Sequence, residues 1–358
     1  MYFREYDDLM DYVDGLDIKE SESLMVFVGE RSEKSLNNLM EYLNGKEIKF
    51  FGGIYAGLLV EDRNEKEGFI VKKFEPIYSS MVFSYMMRCK LTDEELKGST
   101  AIVLIDGLSS RMKDLTDTVY NRLGASVKYV GGGAGFSDLN HRPCIFNNNG
   151  IFEDAVYICI VKADSTLAVE HGWKKLRGPF LVNKSQDNVL SELNSEYAFD
   201  VYKQVIEQEE NIVLSGEDFF RFSKDHPFGI DEGFGNVIVR DPICVNENNE
   251  IICVASIPEG CEVYILKGNK DLLLSSSLQI TKTCLEKAHD NYEPFLFDCI
   301  SRAMFLEDDF SIELNNINQR LNVPVEGALS IGEIASRRNG EIVIHNKSTI
   351  LALLHKEP

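Results

Sequence analysis

Nowhere among the 358 residues does an uninterrupted apolar run approach the roughly 18 that a membrane-spanning helix needs. The first residues, Met1 to Asp8, mix aromatic with charged side chains and lack the apolar segment of an export signal, so a cytoplasmic protein is expected. Basic residues are scarce: 37 lysines and arginines face 58 acidic residues, a net charge of −21. That balance leaves no broad surface for tracking phosphates, and it argues against nucleic acid or an anionic membrane as partner. Paired metal ligands are missing as well. The eight cysteines form no Cys-x-x-Cys, which excludes the usual structural zinc site and fits small buried hydrophobes in a reducing compartment. Six histidines stand singly, at 141, 171, 226, 289, 345 and 355, with no His-x-x-x-His or His-Glu spacing, so no protein-only metal centre is expected.

What the chain does have is glycine in runs. The apolar stretch Lys128 to Val130 leads into Gly131-Gly132-Gly133-Ala134-Gly135, where only glycine tolerates unusual backbone angles or the close approach of a second backbone. A phosphate cradle would need Gly-Lys-Ser or Gly-Lys-Thr next, and Phe136-Ser137-Asp138 follows instead. A dinucleotide fingerprint would open a helix there, and Asn140-His141-Arg142-Pro143 reads as loop. The run therefore reads as a strand-end turn.

An internal repeat surrounds it. Leu24 to Val28 reads as a strand, Ser32 as the cap of a helix through Leu43, and Ile48 to Phe51 as a strand running into Gly52 to Gly57, followed by strands Leu58 to Val60 and Phe69 to Phe74. The order recurs from Ala101 to Val161 and again from Phe295 to Leu354. Ile105-Asp106-Gly107-Leu108-Ser109 aligns with Phe297-Asp298-Cys299-Ile300-Ser301 between the second and third copies. Each copy is a β-α-β-Gly-turn-β-β unit whose crossover makes two strands parallel and whose closing strands run antiparallel. The fold class expected is α+β, or mixed α/β, with two subdomains and mixed sheets built from this unit; about one domain per 150 residues also suggests two. Residues 1–21 form an N-terminal arm, and the boundary falls at the helical stretch beginning near residue 196.

Charged residues beside the strand-end turns suggest a pocket for a small zwitterion, since arginine clamps a carboxylate and an acid meets an ammonium. The candidate ligand-binding residues are Gly131, Gly132, Gly133, Ala134, Arg240, Asp298, Cys299, Arg302, Gly332, Glu333, His345 and Asn346. An enzymatic alternative uses the Cys299 thiol, with Arg302 lowering its pKa and His345 as base.

Taken in order, Phe51 to Gly57, Leu104 to Gly107, Val130 to Gly135, Phe146 to Gly150 and Gly172-Trp173 resemble the FIST N half of the FIST family. Val239-Arg240-Asp241, Ile257 to Gly260, Phe297 to Arg302, Gly332-Glu333-Ile334 and His345 to Thr349 resemble its FIST C half. The resemblance implies a FIST N-like domain over 22–195 and a FIST C-like domain over 196–358. It implies a cytoplasmic, non-catalytic sensor in signal transduction, with an amino acid or small carboxylate as ligand. Its output would pass to a separate signalling protein such as a histidine kinase, a cyclic-nucleotide enzyme or a chemoreceptor, because no output domain follows in this sequence. No cofactor is expected. Some relatives are regarded as haem-dependent nitric-oxide sensors, which gives haem as the alternative, although no histidine precedes His141.

Overall fold

The computed structural model describes residues 1–233, 236–289 and 291–356. Strand makes up 39% and helix 28%, so sheets set the architecture; the class is mixed α/β with several mixed sheets, consistent with two subdomains. Among the described residues the strands gather into four sheets, three of six strands and one of eight.

The three six-stranded sheets are the three repeat units. In the first unit, strand Ser23–Gly29 leads through helix Leu36–Gly45 to the parallel strand Phe50–Tyr55, and Phe69–Phe74 returns antiparallel to the first strand. The second unit uses Ser99–Asp106, helix Met112–Leu123, Val127–Ala134 and the returning Val156–Val161. The third uses Tyr292–Cys299, helices Ile300–Leu306 and Phe310–Asn318, Glu326–Ser330 and the returning Thr349–His355. Hydrophobic spacing explains the helices: Leu36, Leu39, Met40 and Leu43 share one face, and all four are buried. Ser32 is not the expected cap, because it lies in a 3-10 turn and its hydroxyl accepts the Gly68 N–H at 2.8 Å.

Between its last two strands each unit extends a hairpin, and that hairpin does not fold back on its own sheet. The second unit's hairpin, Ile145–Asn147 with Gly150–Phe152, pairs with the first unit at Ile145 and Gly53. The third unit's, Glu333–Ser336 with Ile342–His345, pairs with the second unit at Glu333 and Gly132. The first unit's, Leu58–Val60 with Arg63–Glu65, pairs with the third at Leu58 and Ala328. The exchange closes into a ring. Each sheet also gains one outer strand, Tyr2–Phe3, Pro76–Val82 or Ser165–Glu170, so all three have the same strand order.

The glycine runs are strand interiors rather than the expected turns. Gly52, Gly131 and Gly327 stand opposite Val26, Val103 and Leu296 of the adjacent parallel strand. A Cβ at these glycines would lie 1.8, 1.8 and 1.7 Å from the carbonyl oxygen of that partner. The bare backbone is what lets each pair of parallel strands close. This shared landmark also corrects the alignment of the units: Ile105, not Asp106, corresponds to Asp298, and Asp106 corresponds to Cys299. A slip of one residue exchanges the faces of a strand, so the correction decides which side chains share a site.

The eight-stranded sheet is antiparallel and centres on the long strand Lys174–Gln186, which pairs with Glu262–Lys267 on one side and Val189–Leu193 on the other. Helix Ala198–Glu210 covers it, and Phe199, Tyr202, Phe219 and Phe228 interlock beneath. The boundary placed at 195/196 falls between two paired strands of this sheet, Val189–Leu193 and Glu196–Tyr197.

Candidate functional site

The corrected register brings out one departure from threefold likeness. Where the third unit has Asp298, the first two have Val28 and Ile105; opposite that residue stand Phe69 and Val156 in the first two and Thr349 in the third. On the exchanged hairpins, Leu58 and Ile145 correspond to Glu333. The six apolar residues are all buried core. A fold position that two units fill with hydrocarbon is filled in the third by carboxyl and hydroxyl groups, whose burial costs free energy unless every one is partnered.

Partners are present throughout. Arg302, fully buried, donates from Nε and Nη2 to both oxygens of Glu313, at 2.7 and 2.8 Å. Its remaining donors reach the His171 carbonyl at 2.5 Å, the Leu273 carbonyl at 2.7 Å and the Ser276 hydroxyl at 2.8 Å. Thr349 donates to Asp298 and lies equally close to Glu313, at 3.1 and 3.2 Å. Burial first, and the Glu313 carboxylate second, push Asp298 well above the usual carboxylate range. The two-point contact marks Arg302 and Glu313 as the ion pair, with Asp298 Oδ1 farther from Arg302 Nε at 3.9 Å.

A second half adjoins the first. The Ser330 hydroxyl lies 2.9 Å from Glu333 Oε1 and 3.3 Å from the Asp298 carbonyl, two acceptors for its one hydrogen, and the Ser348 N–H donates to Glu333 Oε2 at 3.3 Å. Burial raises Glu333 to about 8 despite these donors. Lys347 and Asp241, both buried, form an ion pair at 2.9 Å, and Ser301 donates to the other Asp241 oxygen. Trp173 donates its indole N–H to the Lys347 carbonyl at 2.8 Å.

Of the residues singled out in the sequence, Asp298, Cys299, Arg302, Glu333 and Asn346 meet in this network, with the Asn346 side-chain oxygen accepting the Asp241 N–H at 3.4 Å. Gly131, Gly132, Gly133 and Ala134 lie buried in their strand. Gly133 is tied to its neighbours by N–H to the Gly332 carbonyl and by its own carbonyl to Ile331 N–H. A Cβ at Gly132 would stand 2.7 Å from the Ser330 side chain and 2.8 Å from Phe297, so these glycines admit protein rather than ligand. Gly332 makes the turn into Glu333 with φ at 87°. Arg240 lies apart from Arg302, donating to the carbonyls of Val239, Ser256 and Ile344. Burial lowers it to about 10 and, with Arg240 beside it, lowers His345 to about 3.

The cysteine chemistry does not assemble. Burial, then the carboxyls of Glu333 and Asp241, raise the Cys299 thiol well above its ordinary value, the reverse of the activation expected from Arg302. His171 accepts the Trp173 backbone N–H on Nδ1 at 3.0 Å, and its ring makes a further backbone hydrogen bond to Val237; His226 is held by the Phe222 carbonyl and Glu210. Neither of these two rings, as placed, has a nitrogen free for an iron.

Glu313, Ser330 and Lys347 were not anticipated. Glu313 carried a signal: it shares the inward face of its helix with Phe310, Leu314 and Ile317, where a carboxylate is out of place.

One end of the network reaches the surface. His171 and Ser276, which hold Arg302, line a hollow of about 550 Å³ together with Glu170, Trp173, Lys174, Lys175, Leu272 and Gln279. Glu170 is half-buried, and burial raises its pKa against the pull of Arg302 and Lys174. Both signs of charge stand around one concavity.

Residues 24–196 match the FIST N domain and residues 198–336 the FIST C domain. No curated protein matches the chain. FIST domains are associated with sensory signal transduction and are often linked to signalling proteins. No helix among the described residues is long and apolar enough to cross a membrane. The two matches follow one another in the expected order over most of the sequence, and the chain belongs to the FIST family.

Proposed function

We propose that the protein is a non-catalytic cytoplasmic sensor of an amino acid or small carboxylate, bound in the hollow above Arg302. The observation that carries this reading is the polar network of the third unit, which two otherwise equivalent units replace with core hydrocarbon, and which ends at the floor of a hollow bearing both charge signs. Glu170 suits a ligand ammonium, Lys174 its carboxylate, and the Ser276 hydroxyl can exchange its bond to Arg302 for one to the ligand. A ligand that moves Ser276 alters the field at Arg302, Glu313 and Asp298, and this buried relay carries occupancy to a separate signalling protein such as a histidine kinase, a cyclic-nucleotide enzyme or a chemoreceptor.

The test is a thermal-shift screen over the amino acids and small carboxylates, repeated with Glu170→Gln and Lys174→Ala. A ligand at 100 times its dissociation constant stabilises the folded state by about 2.7 kcal/mol. The reading expects at least one compound to raise the melting temperature of the unaltered protein and to lose most of that effect in both variants. It fails if no compound does so, or if the shift survives both substitutions.

A further inference from the structure

The second unit carries a separate cluster. Asp106 ends its first strand, His141 lies on the loop that leads to the hairpin, and Asp154 occupies the turn before the last strand with φ at 49°. His141 and Asp154 both meet Asp106 at the end of strand Ser99–Asp106. Their nearest ligand atoms all lie within 4.8 Å of one another, with His141 Nε2 at 2.7 Å from Asp106 Oδ2 and 3.8 Å from Asp154 Oδ1.

Two further observations distinguish this from an ordinary surface ion pair. Asp106 is the one carboxylate between residues 99 and 161 that the fold buries, and no lysine or arginine bridges it among the described residues. Both carboxylates are already oriented: Asp106 accepts the Leu108 and Asp154 N–H groups at 3.1 and 2.8 Å, and Asp154 accepts the Ser109 hydroxyl at 2.6 Å. Such outer hydrogen bonds fix metal-ligating side chains in advance.

We propose that Asp106, His141 and Asp154 form a divalent-cation site of the zinc class. Bonds of about 2.0–2.2 Å place the ligand atoms of a tetrahedral zinc roughly 3.3–3.6 Å apart, so for an ion to enter, the 2.7 Å His141–Asp106 hydrogen bond has to open and the 3.8 Å His141–Asp154 gap to close, each by roughly half an ångström or less. One imidazole with two carboxylates is a borderline-hard set that suits zinc, and three protein ligands leave a coordination position open. His141 and Asp154 are each partly exposed, so the open position faces solvent. The ligands come from a strand end, a loop and a turn that lie far apart in the sequence, which is why no short spacing motif announces them. The site is independent of the hollow above Arg302 and stands whether or not an amino acid binds there.

Chelator-treated protein is titrated with zinc by calorimetry, and with cobalt by visible absorption, beside His141→Ala, Asp154→Asn and, as a control for the surface pair His289 and His355, His289→Ala. Both cluster substitutions lie at partly exposed positions, and circular dichroism checks that each variant is folded. The site predicts one tight equivalent in the unaltered protein and in His289→Ala. It predicts at least about tenfold weaker binding, with loss of the cobalt ligand-field bands, in His141→Ala and Asp154→Asn. Absence of tight binding in the unaltered protein, or binding unchanged by His141→Ala, overturns it.

Discussion

Glu333 holds a proton that an exposed glutamate would have lost. Its folded pKa is raised to about 8 from an ordinary value of 4.5, chiefly by burial. The sign of the consequence follows from proton counting. Below pH 4.5 folded and unfolded chains both hold this proton and Glu333 contributes no pH dependence. Between 4.5 and 8 the unfolded chain releases it while the folded one retains it, so stability falls as pH rises, and above 8 the contribution is level again. Glu333→Gln keeps the shape and removes the titration. The difference between the denaturant midpoints of the unaltered protein and this variant should therefore slope across pH 5 to 8 and flatten above it. A constant difference over that window would mean that Glu333 is ionised in the folded state. The residues of this network were legible only in part. Asp298, Arg302 and Glu333 were legible as charged residues at or beside strand-end turns, whereas Ser330 and Lys347 look like surface residues until the ring closes over them. Glu313 was legible as a misfit on an apolar helix face. What no local pattern states is that Arg302 is already consumed by Glu313, because that pairing depends on how the two helices of the third unit cross.

At the scale of the element, glycine runs were the strongest signal, and their meaning changed. A run of glycines after an apolar stretch is equally the mark of a turn and of a strand crowded by a neighbouring carbonyl, and sequence alone does not separate the two. The threefold recurrence at Gly52, Gly131 and Gly327 does, once pairing is known. An alanine at any of the three must displace a backbone oxygen that its Cβ would approach to 1.7–1.8 Å, and backbone in the middle of a sheet yields little. Each substitution should cost more than about 3 kcal/mol, at or beyond the upper end of ordinary overpacking. Gly216→Ala, where nothing lies within 4 Å, should stay within about 0.5 kcal/mol. Urea midpoints of the four variants decide it, and a mild effect at Gly131 alone would separate the second unit from its two relatives. Several strands escaped periodicity, among them Tyr2–Phe3, Pro76–Val82 and Phe228–Gly233. Strand Lys174–Gln186 contains Gly178-Pro179, a pair that by sequence argues for a break; it persists as a strand because its pairing with Glu262–Lys267 shifts register on either side of Arg177.

The repeated unit was readable in the sequence, but the exchange of hairpins was not, since Glu333 and Gly132 pair across 201 positions and nothing near either residue names its partner. The exchange decides how the molecule unfolds. With its own hairpin given to one neighbour and the other neighbour's hairpin received, no unit has a complete sheet alone, and loss of one unit strips a hairpin from one neighbour's sheet and leaves the other neighbour's hairpin without a sheet to join. Folding should therefore be cooperative across the ring. The chain has one tryptophan, Trp173, which reports on the third unit through its bonds to the Lys347 carbonyl and its packing on Phe305. Leu115 is buried in the helix of the second unit, in a separate hydrophobic cluster. Leu115→Ala should destabilise by about 2–5 kcal/mol, the range for opening a core cavity. If the ring unfolds as one body, the urea midpoint read from Trp173 fluorescence falls by the same amount as the midpoint read from far-ultraviolet circular dichroism. If instead the units are independent, the Trp173 transition stays where it was and circular dichroism splits into two steps. The shared sheets favour the first outcome, because Glu333–Ser336 belongs by sequence to the unit that Trp173 reports and by hydrogen bonding to the unit that Leu115 supports.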